Sequence, residues 1–77
     1  MERDLVEYIA KSLVDDPSAV AVAERETERG TVLELRVASG DVGKVIGKFG
    51  RVAQAIRTLL MASSGRNGSR YLLEILD

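Results

Sequence analysis

The segment Val45-Ile46-Gly47-Lys48-Phe49-Gly50-Arg51 holds the residues whose types and spacing could do chemistry. Two glycines bracket two residues, an apolar pair precedes them, and a helical pattern follows. A loop with no side chain at its tightest points lets its backbone approach a ligand closely. Its N–H groups lie near the start of the next helix, a site that suits an anion such as phosphate. Lys48 and Arg51 add positive charge at the same place, and Lys44 stands just before them.

Other glycine-rich chemistries do not fit this spacing. A dinucleotide fingerprint needs G-x-G-x-x-G after a strand, and Gly43, Gly47 and Gly50 do not have it. A P-loop needs Ser or Thr after its Gly-Lys, where this chain has Phe49, and a glycine where it has Val42. The chain has no cysteine and no histidine, which removes disulfides, thiolate metal sites and the commonest general base. Carboxylates are present, but no pair is placed in a recognisable pocket. We therefore expect no catalytic residue, no metal and no cofactor.

Charge is divided along the chain. Residues 1–41 hold 5 basic and 10 acidic side chains, whereas residues 42–73 hold Lys44, Lys48, Arg51, Arg57, Arg66 and Arg70 and no acid. The net charge of −1 hides this split. An acid-free basic stretch around a glycine loop is a local electrostatic footprint of the kind that nucleic acid recognises. Arg66 and Arg70 flank a loop where they could equally serve solubility. No apolar run approaches the roughly 18 residues of a membrane span. The start, Met1-Glu2-Arg3-Asp4, is too polar for a secretory signal. A cytoplasmic protein without a membrane partner is expected.

The elements that must position the loop follow from periodicity. Leu5, Val6, Ile9 and Leu13 form a helical stripe over residues 2–14, broken by Asp15-Asp16-Pro17-Ser18. Residues 19–27 and 31–38 read as strands joined by a turn at Glu28-Arg29-Gly30, with Leu33, Leu35 and Val37 facing one way. The pairing register stays open. Ser39-Gly40-Asp41 offers capping groups for a short helix over 41–46. A longer helix over 51–63 has Val52, Ile56, Leu59 and Leu60 on one side. Residues 63–69 read as a loop and 71–76 as a closing strand. Tyr8 and Tyr71 read as packing residues, and Glu24, Glu26 and Glu28 as edge charges that discourage sheet-edge pairing. The order α-β-β-α-α-β gives an α+β fold: one three-stranded mixed sheet, helices on one face, and a parallel pair across the two-helix connection. The 77 residues suffice for a single domain.

With Gly43-Lys44-Val45-Ile46-Gly47-Lys48-Phe49-Gly50-Arg51 followed by Ala55-Ile56-Arg57, the chain resembles a type II KH domain. In length and element order it resembles the small bacterial single-domain KH proteins of the KhpA family, over nearly all of its 77 residues. That resemblance implies a single KH domain over 1–77 and non-catalytic, sequence-tolerant binding of single-stranded RNA. It also implies a homodimer, a heterodimer with a KhpB-like KH protein, and a link to cell elongation and division through RNA chaperoning or post-transcriptional regulation. On this pattern Gly47 and Gly50 admit the RNA backbone and Lys48 contacts phosphate. Val45 and Ile46 supply apolar surface to core and groove, Arg51 and Gln54 start the helix beside the groove, and Lys44 and Phe49 complete the RNA-binding set. The chain departs from the pattern twice. Ala53 stands where many KH domains have a large aliphatic, and Phe49 stands at a position usually polar.

Phe49 should be exposed in a monomer. Its two destinations are the face of an RNA base and the matching surface of a second subunit; the dimer that the resemblance implies favours the subunit, with Val52 and Ala53 nearby to widen the patch. A dimerisation module whose KH surface mainly binds another KH protein is thus the rival to an RNA-binding module.

Overall fold

In the computed structural model, residues 2–67 and 70–76 are described, with the backbone alone over 63–67. Helix α1 spans Glu2–Leu13, strand β1 Ala21–Thr27, strand β2 Gly30–Arg36, helix α2 Val42–Ile46, helix α3 Arg51–Asn67 and strand β3 Tyr71–Leu76. One-turn 3-10 segments at Pro17–Ala19, Ser39–Asp41 and Lys48–Gly50 make the corners. The sheet order is β1-β2-β3, with β1 antiparallel and β3 parallel to the central β2. This is the expected α+β arrangement.

The register, open in the sequence, is fixed by a two-residue turn. Thr27 pairs with Gly30, leaving Glu28 and Arg29 as the turn, and Val22 lies opposite Leu35. Thr27 Oγ1 donates to the Gly30 carbonyl at 2.8 Å and accepts the Arg29 N–H at 3.2 Å. On the parallel side Leu33 lies beside Leu73 and Leu35 beside Ile75. Period-two alternation therefore sends Val22, Leu33, Leu35 and Leu73 to one face, where the helices cover them. Val6, Leu33, Leu35, Val45 and Leu60 are the largest fully buried side chains. Truncating any of these leucines should cost about 2–5 kcal/mol.

Three helical expectations need correction. First, α1 is turned relative to the expected stripe. Val6 and Ala10 are buried while Leu5 and Leu13 are exposed. The methyl of Ala10 lets the helix lie close on the sheet, and the Arg3 guanidinium reaches the Val22 carbonyl at 2.8 Å to hold it there. Tyr8 consequently points outward at 72% exposure rather than packing. Tyr71 does pack on the core; burial, reinforced by Glu2, Glu24 and Glu26, holds its phenol above the usual range. Second, α3 buries Ala53, Ile56 and Leu60, whereas Leu59 is exposed. Third, α3 runs to Asn67 instead of ending at 63. Once a helix is nucleated each added residue gains a hydrogen bond, and a single internal Gly65 costs only about 1 kcal/mol. Of the expected 63–69 loop, Gly68 and Ser69 lie outside the described residues, as does the side chain of Arg66.

Candidate nucleic-acid interface

Helix α2 is short, and its N-terminal end is tied down by a carboxylate. Asp41 is only 3% exposed. Its side chain does not cap its own helix, as the sequence suggested. Oδ2 instead accepts the Asp16 N–H at 3.0 Å, joining the corner after α1 to the start of α2. Burial pushes the Asp41 carboxyl up. The Asp16 and Asp15 N–H groups and the Lys44 ammonium outweigh burial and hold it below its ordinary range. Lys44 Nζ lies 3.4 Å from Asp41 and 3.3 Å from Asp15. Lys44, placed by the sequence among the RNA contacts, is thus committed to two carboxylates. Hydrogen bonding to Asp15, with its charge, raises the Lys44 pKa.

The other end of α2 is the glycine loop. Gly47 closes the helix by donating its N–H to the Gly43 carbonyl at 2.8 Å. Its φ of 79° and ψ of 169° lie outside the usual reach of L side chains, and a Cβ there would overlap the side chain and nitrogen of Val52. Gly50 has a φ of 73°, but a Cβ there would meet open space. The Gly50 N–H donates to the Gly47 carbonyl at 3.0 Å, so two of the loop's N–H groups are used internally. Those of Lys48 and Phe49 lie between them at the tip.

Phe49 occupies that tip with φ 59° and ψ 25°, the only non-glycine residue with positive φ among those described. Its ring is 83% exposed. Lys48 Nζ lies 5.7 Å and Arg51 Cζ 5.9 Å from the ring centroid, both within cation–π reach. No carboxylate pairs with Lys48 or Arg51 among the described residues.

A groove of about 790 Å³ starts beside this loop. Ile46, Gly50, Ala53 and Arg57 form one wall, Leu72, Leu73, Glu74 and Ile75 of β3 the other, and Thr27, Glu28 and Arg29 the far end, with Val32 below. The apolar pair before the loop is therefore divided. Val45, fully buried, belongs to the core and has no surface to offer a ligand, whereas Ile46, 37% exposed, borders the groove. Ala53, expected to widen an apolar patch around Phe49, is only 4% exposed and faces the groove instead. Val52 is half-buried under Gly47, and Gln54 is exposed on the outer side of α3. Arg57, outside the expected set, also lines the groove. Ala53 and Arg57, at i and i+4 on α3, share one helical face, so the period could have found Arg57 once Ala53 was placed at the groove. Arg29 and the β3 wall had no local signal, because they reach the groove through strand pairing.

The chain is similar to known proteins along almost its whole length. The model of the KhpA/KhpB KH domain matches residues 3–75. The RNA-binding protein KhpA of Treponema pallidum is 56% identical over 77 residues, covering 100% of this chain and 96% of that protein. The protein of the same name from Borreliella burgdorferi is 53% identical over 76 residues, covering 99% and 93%. A crystal structure of Aquifex aeolicus Era bound to GDP and aluminium fluoride superposes with a TM-score of 0.65 over 96% of this chain and 29% of that one. At 22% identity that likeness concerns the fold alone. With the glycine loop, the mixed sheet and a family match over almost its whole length, the chain belongs to the KhpA/KhpB family of KH domains.

Proposed function

We propose that this chain, as one KH domain over residues 1–77, binds single-stranded RNA in the cytoplasm without catalysis. Two relatives above carry the name RNA-binding protein KhpA, and KH domains of this family are non-catalytic modules. The observation that carries the reading is the adjacency of unpaired charge and groove. Lys48 and Arg51 stand at a loop whose Gly50 and Ile46 also border the groove. In this reading Gly47 and Gly50 let the phosphate backbone approach, Lys48, Arg51 and Arg57 neutralise it, and the apolar stretch of the groove at Ile46, Ala53 and Leu72 accepts bases. Among the described residues no helix is long and apolar enough to cross a membrane.

Titration of a labelled single-stranded RNA at low salt tests this. Lys48→Asp with Arg51→Asp should weaken binding at least about tenfold, roughly 1.4 kcal/mol, while circular dichroism stays unchanged. A folded double variant that binds like the unsubstituted protein would remove the loop from the mechanism.

A second reading has one favouring observation, the exposed Phe49 ring with half-buried Val52 nearby. On it the loop surface pairs with a second copy of the chain or with a KhpB-like KH protein, and RNA work linked to cell elongation and division is done by the pair. Sedimentation of the free protein tests it, since a monomer across micromolar concentrations would exclude the homodimer.

A further inference from the structure

We propose that the Phe49 ring is a stacking platform for one nucleobase of the bound strand, an inference that rests on the RNA-binding reading. A phenylalanine in left-handed backbone conformation at an exposed loop tip gives up free energy twice, in its torsions and in its hydration. Such outliers persist where they serve a site. Nothing in the protein's own core uses this ring. What surrounds it is charge: an ammonium at 5.7 Å and a guanidinium at 5.9 Å.

Those two cations decide between the destinations open to the ring. A two-fold contact through Phe49 would set the same residues opposite each other, bringing a Lys48 and an Arg51 from each copy to one spot. Among the described residues no carboxylate pairs with either cation to relieve that crowding. Like charges juxtaposed at an interface are strongly unfavourable. A nucleotide answers both features at once. Its phosphate meets Lys48 and Arg51, and its base supplies a flat face for the ring. Glycines on both sides of the Lys48-Phe49 pair keep the approach clear of side chains. Every base has a π face, so the platform adds affinity with little sequence preference.

The test is an abasic scan. A single-stranded RNA oligonucleotide of mixed sequence is compared with versions carrying one abasic nucleotide at each position in turn. For the unsubstituted protein, one position should lower affinity about tenfold when its base is removed. Phe49→Ala should lose a similar factor on intact RNA and lose nothing more at that position. Phe49→Leu, which keeps apolar bulk without a stacking face, should share most of the loss. The chain has no tryptophan, so Phe49→Trp places a lone indole at the tip, whose emission should be quenched by the RNA. Equal abasic penalties for Phe49→Ala and the unsubstituted protein at every position would overturn the platform, as would unquenched indole emission in the complex. Sedimentation showing that Phe49→Ala dissolves a dimer, with RNA affinity falling in step, would assign the ring to a second copy and also overturn it. If the unsubstituted protein binds none of these oligonucleotides at low salt, the RNA-binding reading itself fails, and the platform with it.

Discussion

Two lysines four positions apart are treated in opposite ways by this fold. Lys44 and Asp41 belong to a clasp in which carboxylates and backbone N–H groups tie α2 to the corner after α1. Lys48 belongs to a tip where two cations and a ring share no carboxylate among the described residues. In sequence both read as members of one basic stretch. The difference teaches that charge available to a ligand is not charge counted along the chain. The clasp neutralises its lysine to seat the helix, and the loop leaves its cations without a carboxylate among the described residues.

The largest blow to this arrangement should fall where the two regions are joined. Gly47→Ala forces a side chain into an unsuitable backbone conformation and against Val52. It should cost about 3 kcal/mol in urea unfolding and abolish RNA binding with it. Gly50→Ala meets open space and only the torsional penalty, so about 1 kcal/mol is expected. Equal costs for the two would show that the loop relaxes and that the close approach at Gly47 is not a constraint.

The neighbouring apolar pair sharpens the same contrast. Val45→Ala removes two buried methyls and should lower stability by roughly 2 kcal/mol with little direct effect on the groove. Ile46→Ser, on the groove wall, should leave stability within about 1 kcal/mol and weaken RNA binding several-fold. Parallel denaturation and binding curves separate the two. A stability loss for Ile46→Ser as large as that for Val45→Ala would place both residues in the core.

Element order, the parallel pair, β3 at 71–76 and the glycine loop were legible because each rests on local chemistry: alternation, helical period, glycine spacing. The rotation of α1 was not, since a hydrophobicity stripe ranks Leu5 above Ala10, whereas close packing on a sheet rewards the smaller side chain. Nor was the fate of Lys44. Asp41, three positions before it, was within local reach, but its other partner Asp15 is a corner residue brought near by packing α1 against the sheet, and no local pattern announces that one. Of the groove, the corner at Ile46 and Gly50 was legible, Ala53 and Arg57 on α3 were not assigned to it, and on the β3 and hairpin side register alone assembles the lining.

Salt dependence reads the contrast more finely. With Lys48, Arg51 and Arg57 as the available cations, log affinity should fall with log salt at a slope of about −2 on single-stranded RNA. Lys48→Ala should make the slope shallower by about 0.7, and Lys44→Ala should leave it unchanged. Asp15→Asn combined with Asp41→Asn frees Lys44 and should steepen the slope by up to about 0.7. A Lys44→Ala slope as shallow as that of Lys48→Ala would put Lys44 back among the phosphate contacts.

The smallest effect belongs to pH, and it again divides the molecule. Asp41 and Glu7 both have lowered pKa values. For Asp41 burial opposes the shift, and the Asp16 and Asp15 N–H groups with Lys44 prevail. For Glu7 the causes are hydrogen bonding first to Lys11 and then to Arg3, at 2.7 and 2.8 Å. A folded-state pKa below the unfolded value means stabilisation that is present above about pH 4 and lost as pH falls further. Lys44 has the opposite sign: its raised pKa stabilises below about pH 10.4 and is lost as pH climbs beyond it. Urea midpoints followed from neutral pH into acid should therefore fall for the unsubstituted protein, and Asp41→Asn and Glu7→Gln should each flatten part of that fall. Only Asp41→Asn should also alter RNA binding at neutral pH, because its carboxylate seats the helix that ends in the glycine loop, whereas Glu7 braces α1 far along the chain from it. If Glu7→Gln changes RNA affinity as much as Asp41→Asn, the clasp has no special hold on the loop.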